Sequence, residues 1–205
     1  QSKGKGATKA ILFDQKKKIQ EKLNQYVDNF IKDKIHNLAI FELPELSNTT
    51  FILEFTQFFL ESVFNYAKSN TGSKICIVLE EAHTIVPETN FLGEPGDYGS
   101  SKNLVNKMSQ IALQGRKYGV GLLVIGQRSA NISKTVLTQC NTIIAFKAFD
   151  DTSYGFLTNY FGKEIIQAIP NLKNYHAVVY GKGIKSNNPI IIDTYDESED
   201  TSKNI

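Results

Sequence analysis

The sequence predicts an α/β fold: a mainly parallel sheet with helices on both faces and an antiparallel edge hairpin at its C-terminal end. Three observations carry this. Short continuous apolar runs (KICIVL from Lys74, GLLVIG from Gly121, NTIIAF from Asn141) have the pattern of strands buried on both faces. Between them lie longer segments whose apolar residues recur at three-and-four spacing, the period of an amphipathic helix. Late in the chain, HAVVY and PIIID are joined by GKGIKSNN, which suits a hairpin.

Taken in order, Ile11, Ile19, Leu23, Tyr26, Val27, Phe30 and Ile31 predict one helix from Ala10 to about Lys34, preceded by a short extended piece. Asn37 to Leu43 is a short apolar run stopped by Pro44, which suits a strand carrying Glu42 and Glu45 at its end. Ser47 or Asn48 can cap a helix running through Phe51, Leu53, Phe55, Phe58, Phe59, Val63, Phe64 and Tyr66, which SNTGS ends. A strand from Lys74 to Leu79 follows, and Pro87 to Ser101, rich in glycine and proline, reads as an exposed loop. Next come a helix from about Lys102 to Tyr118, a strand from Gly121 to Gly126, a capped turn at NISK with a short helix through Val136 and Leu137, and a strand from Asn141 to Phe146. Helices from about Asp151 to Tyr160 and from Lys163 to Ala168 precede the late strands His176 to Tyr180 and Pro189 to Asp193. The charged tail DESEDTSKNI reads as disordered. Residues 1–36 thus form a basic leader and amphipathic helix, 37–193 the α/β part and 194–205 an acidic tail.

Composition bounds the function. With 205 residues, 41% hydrophobic and 21% charged, the chain can bury a core as one globular domain. A net charge of +2 neither demands nor excludes a polyanionic partner, so a nucleic-acid role has to rest on local features. Cys76 and Cys140 sit in apolar runs without CxxC spacing, which predicts buried thiols in a reducing compartment. No run reaches the roughly eighteen apolar residues of a membrane span, and no signal peptide is visible, so a cytoplasmic protein is expected. The opening QSKGKGATK starts with Gln1 and reads as a scar or an internal cut of a longer chain.

Chemistry is expected at the carboxyl ends of the strands, where such sheets bind ligands. Glu80 and Glu81 end one strand, Gln127 and Arg128 the next, and Glu42 an earlier one. A carboxylate at the end of a buried strand costs several kcal/mol unless a cation or donors compensate it. Adjacent strand residues point to opposite faces, so the two glutamates take different roles: one holds magnesium, directly or through water, and the other faces a nucleophilic water beside a phosphate. The plainer reading is a solvated strand end. Likewise, Arg116 and Lys117 at a helix C-terminus can simply complement the helix dipole.

The apolar run followed by EEAH is a Walker B arrangement, and it is followed in order by LQGRKYGVGLLVIGQRS and ISKTVLTQCNTIIAF. This ordered set resembles the HerA and FtsK group of RecA-like hexameric DNA-pumping ATPases, HerA most closely. The late NLKNYHAVVYGKG and PIIID are similar to the closing segment of that family, so the resemblance covers roughly Asn37 to Asp193.

The resemblance implies ATP and magnesium as cofactors. It makes Glu80 the metal-coordinating acid, acting through a metal-bound water, and Glu81 the catalytic base. It makes Gln127 the polar sensor of the γ-phosphate, and Arg116 a charge that completes a nucleotide site, in a neighbouring subunit where the ring requires it. Ser129 stands where the family frequently has proline, which leaves that turn's geometry open. His83 reads as a structural or coupling residue: EAH also occurs in DEAH-box helicases, but their Ser-Ala-Thr strand end and second domain are not visible here. His36 and His176 have no ligand-like partners in sequence, which argues against zinc.

A phosphate-cradling GxxxxGK[ST] is absent from these residues, KGKGATK lacking the spacing. The expectation is a C-terminal part of the ATPase domain whose phosphate loop lies N-terminal to it, inactive alone. The implied whole is a homo-hexamer that moves along double-stranded DNA with a nuclease partner in end processing or phage defence. Two other readings stay open: a non-catalytic oligomerisation module, and a conjugation or secretion ATPase of the same superfamily.

Overall fold

Helical periodicity in the first third of the chain and β-branched runs thereafter set the element order. The computed structural model describes residues 2–33, 35–42, 49–88, 97–148 and 151–194. Its helices are α1 (Ser2–Lys32), α2 (Thr49–Ser69), α3 (Ala82–Ile85), α4 (Asp97–Gln114), α5 (Lys134–Leu137) and α6 (Asp151–Ala168). Its strands are β1 (Ile75–Leu79), β2 (Val120–Val124), β3 (Thr142–Phe146), β4 (His176–Gly181) and β5 (Ile190–Asp193). The chain divides into two compact units, Gln1–Gly126 and Gln127–Ile205.

In the first unit, α2 presents Leu53, Leu60, Phe64 and Ala67, each at most 1% exposed, and packs against both α1 and α4. Leu23 and Val27 face it from α1, while Leu104, Met108 and Ile111 of α4 are fully buried. Burying a leucine such as Leu60 contributes about 2 kcal/mol, so this three-helix contact is a main source of the unit's stability. Polar groups pin the α1–α2 seam: Gln20 Nε2 donates to Ser62 Oγ (2.6 Å) and Phe58 O (3.1 Å), and Lys16 pairs with Glu54 at 2.8 Å. The strands β1 and β2 pair in parallel, Ile75 with Val120 through Leu79 with Val124. Period-two alternation sorts their faces: Ile77, Leu79 and Val120 are buried, whereas Val78 and Leu123 are about half exposed (47% and 46%).

In the second unit, β3, β4 and β5 form an antiparallel sheet in that order. Cross-strand partners Ala145 and Val178 share a face and build a core with Leu157, Phe161, Ile169 and Leu172. The hairpin expected from HAVVY and PIIID is present as β4–β5. Gly162 (φ 79°, ψ 163°) breaks α6, matching the two helices that the sequence suggests there.

Several expectations need correction. Residues 37–42 form no strand; Leu38 and Ile40 are 73% and 75% exposed. A strand needs a hydrogen-bonded neighbour, and here Phe41 instead sets its ring against Tyr26 and Phe59 (centroids 5.3 and 4.5 Å). The extended piece before the first helix is helical from Ser2. Helix α4 starts at Asp97, inside the expected loop, while residues 89–96 lie outside the described residues, as do the capping candidates Ser47 and Asn48, Glu45, and the tail from 195. Among the described strands, parallel pairing is confined to β1–β2. Among the described residues, no helix is long and apolar enough to cross a membrane.

Cys76 is exposed, because it stands on the outward face of β1. Cys140 precedes β3, with its Sγ 3.7 Å from Val136 O, and burial raises its thiol above the ordinary cysteine range. Both thiols are free. A thiol held above its ordinary range carries less thiolate at neutral pH and reacts more slowly. A disulfide-exchange reagent at pH 8 should therefore label Cys76 in a fast phase and Cys140 in a slow one, and Cys76→Ser should remove only the fast phase.

Candidate functional site at the ends of the parallel strand pair

The β-branched run of β1 stops at Leu79, where two glutamates succeed it. Ile125 N–H donates to Leu79 O (2.9 Å), the last bond of the parallel ladder. The chain turns at Glu80, and Glu81 adopts the left-handed conformation (φ 47°, ψ 45°) immediately before α3. A non-glycine residue there costs about 1–3 kcal/mol and persists only where its surroundings impose it. Those surroundings are specific. Ala82 N–H donates to Ile125 O (2.9 Å), and Thr84 donates both its N–H (2.8 Å) and its Oγ1 hydroxyl (2.9 Å) to Glu81 O. Ala82 and Val86, both fully buried, hold the helical turn in place.

This turn, rather than the pleat of a strand, separates the two carboxylates, since both lie beyond the end of β1. Both are also exposed, so neither carries the desolvation cost expected of a buried strand end. Among the described residues Glu80 makes no ion pair, and no cluster of three or more His, Cys, Asp or Glu side chains could hold a metal. Magnesium prefers one or two carboxylates completed by water and phosphate oxygens. The exposed carboxylate of Glu80 is of the kind that such an ion takes as a single protein ligand.

His83 Nδ1 lies 3.2 Å from Glu81 Oε2. That is close enough for charge pairing, yet Nδ1 is shut off from solvent and, among the described residues, makes no well-aligned hydrogen bond. On a regular helix, residues two apart do not face each other. The left-handed Glu81 is what brings the pair together, and no periodicity in the sequence announces it. His36 and His176 each stand beside one aspartate, Asp33 (2.8 Å) and Asp193 (3.8 Å), which the sequence did not indicate.

Arg116 belongs to the other end of the pair. The 3₁₀ segment Gly115–Tyr118 follows α4 and feeds β2 through Gly119, whose carbonyl accepts from Ile75 N–H (2.9 Å) at the start of β1. Arg116 and Lys117 are exposed, and Arg116 makes no ion pair among the described residues. The knuckle that carries them is fixed. Tyr118 stacks edge-on against Phe64 (5.6 Å), and Lys68 Nζ sits 4.4 Å over the Phe64 ring. Five strand residues at about 3.3 Å each put roughly 16 Å between the Glu80–Glu81 end and the Arg116 end.

Gln127 opens the second unit, exposed, three residues past the end of β2, and Arg128 beside it is also exposed. Ser129 starts the 3₁₀ turn Ser129–Asn131, with its Oγ buried and without a hydrogen bond among the described residues. Glu42 is exposed in the irregular segment after α1.

No protein-family model matches the chain. Among curated proteins, it is 28% identical over 128 residues to the DNA double-strand break repair helicase HerA of Pyrococcus furiosus, covering 61% of this chain and 21% of that protein. The same-named protein of Saccharolobus solfataricus is 24% identical over 178 residues, covering 83% and 33%. The chain resembles the HerA-like ATPases. A probable helicase of Methanocaldococcus jannaschii is also similar, 29% identical over 139 residues, with 63% of this chain and 24% of that protein covered. The chain spans about a fifth to a third of the length of these HerA-like relatives. Among solved structures, the genome-packaging NTPase of Sulfolobus turreted icosahedral virus 2 in complex with AMPPCP superposes with a TM-score of 0.53 at 17% identity, covering 83% of this chain and 72% of that one. Its ATP-gammaS complex gives 0.50 at 18%, covering 75% and 66%. That likeness bears on the fold, which is a partial RecA-like core, as the sequence suggested.

The rigidity of the Arg116 knuckle is testable at Gly119. Its φ is +72°, and a Cβ there would come within 1.8 Å of Ser73 O, whereas Gly72 (φ +95°) has open space around it. Gly119→Ala should lose more than about 2 kcal/mol in urea unfolding, and Gly72→Ala about 1 kcal/mol, the penalty of positive φ without the clash.

Proposed function

We propose that this chain carries the acid, base and trans-acting arginine of an ATP-driven double-stranded DNA translocase of HerA type. The observation that carries the reading is the placement of the Glu80–Glu81 turn and the Arg116 knuckle at opposite ends of one parallel strand pair. A subunit built this way offers its carboxylates to its own nucleotide and its arginine to a neighbour's, which is the arrangement of a closed ring, here a hexamer. The phosphate-binding loop is supplied outside residues 1–205, and residues 1–205 alone do not turn over ATP.

Magnesium, when bound, neutralises charge on the β- and γ-phosphate oxygens. Glu80 would hold it, through a bound water. Glu81, set in its left-handed turn, accepts a proton from the attacking water. Gln127 orients that water or senses the γ-phosphate, and Arg116 of the adjacent subunit stabilises the charge that develops on the transferred phosphoryl group. DNA lies in the ring's pore, where the exposed turn with Lys182 and Lys185 is a candidate contact. The other loop that the sequence offers as a candidate DNA contact, Phe91 to Lys102, lies largely outside the described residues. The names of the relatives, which include DNA double-strand break repair helicases, support a DNA substrate; a nuclease partner in end processing or phage defence completes the proposal. The free thiols fit a cytoplasmic setting.

In the full-length protein, Glu81→Gln should bind ATP like wild type while hydrolysis falls at least about 100-fold, and Arg116→Ala should fall similarly. Mixing the two inactive variants should restore turnover, because some interfaces then pair an intact Glu81 with an intact Arg116. Inactive mixtures would place both residues in one subunit's site, contrary to this proposal. Wild-type turnover by Glu81→Gln would favour a non-catalytic module.

A further inference from the structure

We propose that His83 is a positioning residue for the Glu81 carboxylate, acting through Nδ1; the inference rests on the reading of Glu81 as the base. Three independent features converge on this pair. Glu81 is held in a conformation that non-glycine residues avoid, so its side-chain direction is set by the turn and not by rotamer preference alone. His83 Nδ1 lies 3.2 Å from Oε2, and the turn is what permits the contact. Among the described residues, Nδ1 is also a buried polar atom with no aligned hydrogen bond, a costly state that calls for an explanation. A modest rotation of either side chain converts the 3.2 Å approach into an Nδ1–H donation to the carboxylate. The imidazole itself is fixed on α3, between the fully buried Ala82 and Val86.

A base must present its oxygen to water in one orientation, so a group that fixes the carboxylate bears directly on the reacting step. A fixed donor at Oε2 restricts the carboxylate to fewer orientations. His83 touches neither water nor nucleotide in this scheme. Its effect is on the reacting step and not on ATP affinity.

The test compares ATP hydrolysis by the full-length protein as wild type, His83→Ala, His83→Asn, His83→Gln and Glu81→Gln, with thermal melts to verify folding. His83→Ala should lower kcat about 30- to 100-fold with KM for ATP changed less than about twofold, the signature of lost orientation. His83→Asn, whose amide nitrogen takes the place of Nδ1, should recover most of that loss. His83→Gln, whose amide lies nearer the place of Nε2, should not. If His83→Ala does not fold, the Asn and Gln comparison decides alone. A wild-type kcat in His83→Ala, a gain in basal turnover, or equal rescue by both amides overturns the positioning role. Glu81→Gln separates the two failures: an inactive Glu81→Gln beside an unaffected His83→Ala removes only this inference, whereas an active Glu81→Gln removes the base assignment beneath it.

Discussion

The parallel ladder between β1 and β2 is the constraint from which the candidate site follows. It is closed at one end by Ile75 N–H to Gly119 O and at the other by Ile125 N–H to Leu79 O, each 2.9 Å. Because the pair is parallel, both strands present their carboxyl ends together, and the segments leaving them, Glu80–Ala82 and Ile125, meet through Ala82 N–H and Ile125 O. An antiparallel pair of the same length would instead have placed the Arg116 knuckle beside the glutamates. The direction of one strand relative to the other therefore decides at which end of the pair Arg116 stands.

Energetically, the site is built on the α2–α4 core and strained only locally. Buried Leu53, Leu60, Leu104, Met108 and Ile111 anchor the helices behind the strands, and Phe64 extends that core to Tyr118, so the arginine knuckle is fixed by the same packing that supports β1. Against this background, a left-handed Glu81 at about 1–3 kcal/mol is affordable, and the hydrogen bonds around its carbonyl and Ala82 localise the strain to one residue. Strain at a residue with a carboxylate, next to a histidine nitrogen without an aligned hydrogen bond, is more informative about function than the exposed surface elsewhere.

Much of the architecture was legible because its signals are local. Continuous apolar runs marked all five strands found among the described residues, the period marked α1, α2 and α6, and the interruption at Gly162 was visible as two shorter helices. What failed was local as well: NLAIFEL looks like a strand by composition, but strand formation needs a neighbour, and Phe41 found Tyr26 and Phe59 instead. Cys76 looked buried because its run is apolar, yet alternation put it on the open face of a pair whose outward side chains remain accessible. The start of α4 at Asp97 was hidden by the glycines that precede and enter it.

By itself, the sequence determined the identities and order of the candidate site residues, Glu80, Glu81, Arg116 and Gln127, and the resemblance to HerA-type ATPases, since these are matters of residue type and spacing along the chain. Tertiary structure alone decided that the carboxylates and Arg116 stand at opposite ends of a strand pair, that Glu81 is left-handed, and that His83 reaches it. The physical reason is that strand direction and a single backbone dihedral are set by long-range hydrogen bonds, Ala82 to Ile125 above all, and such bonds leave no trace in the periodicity of either partner.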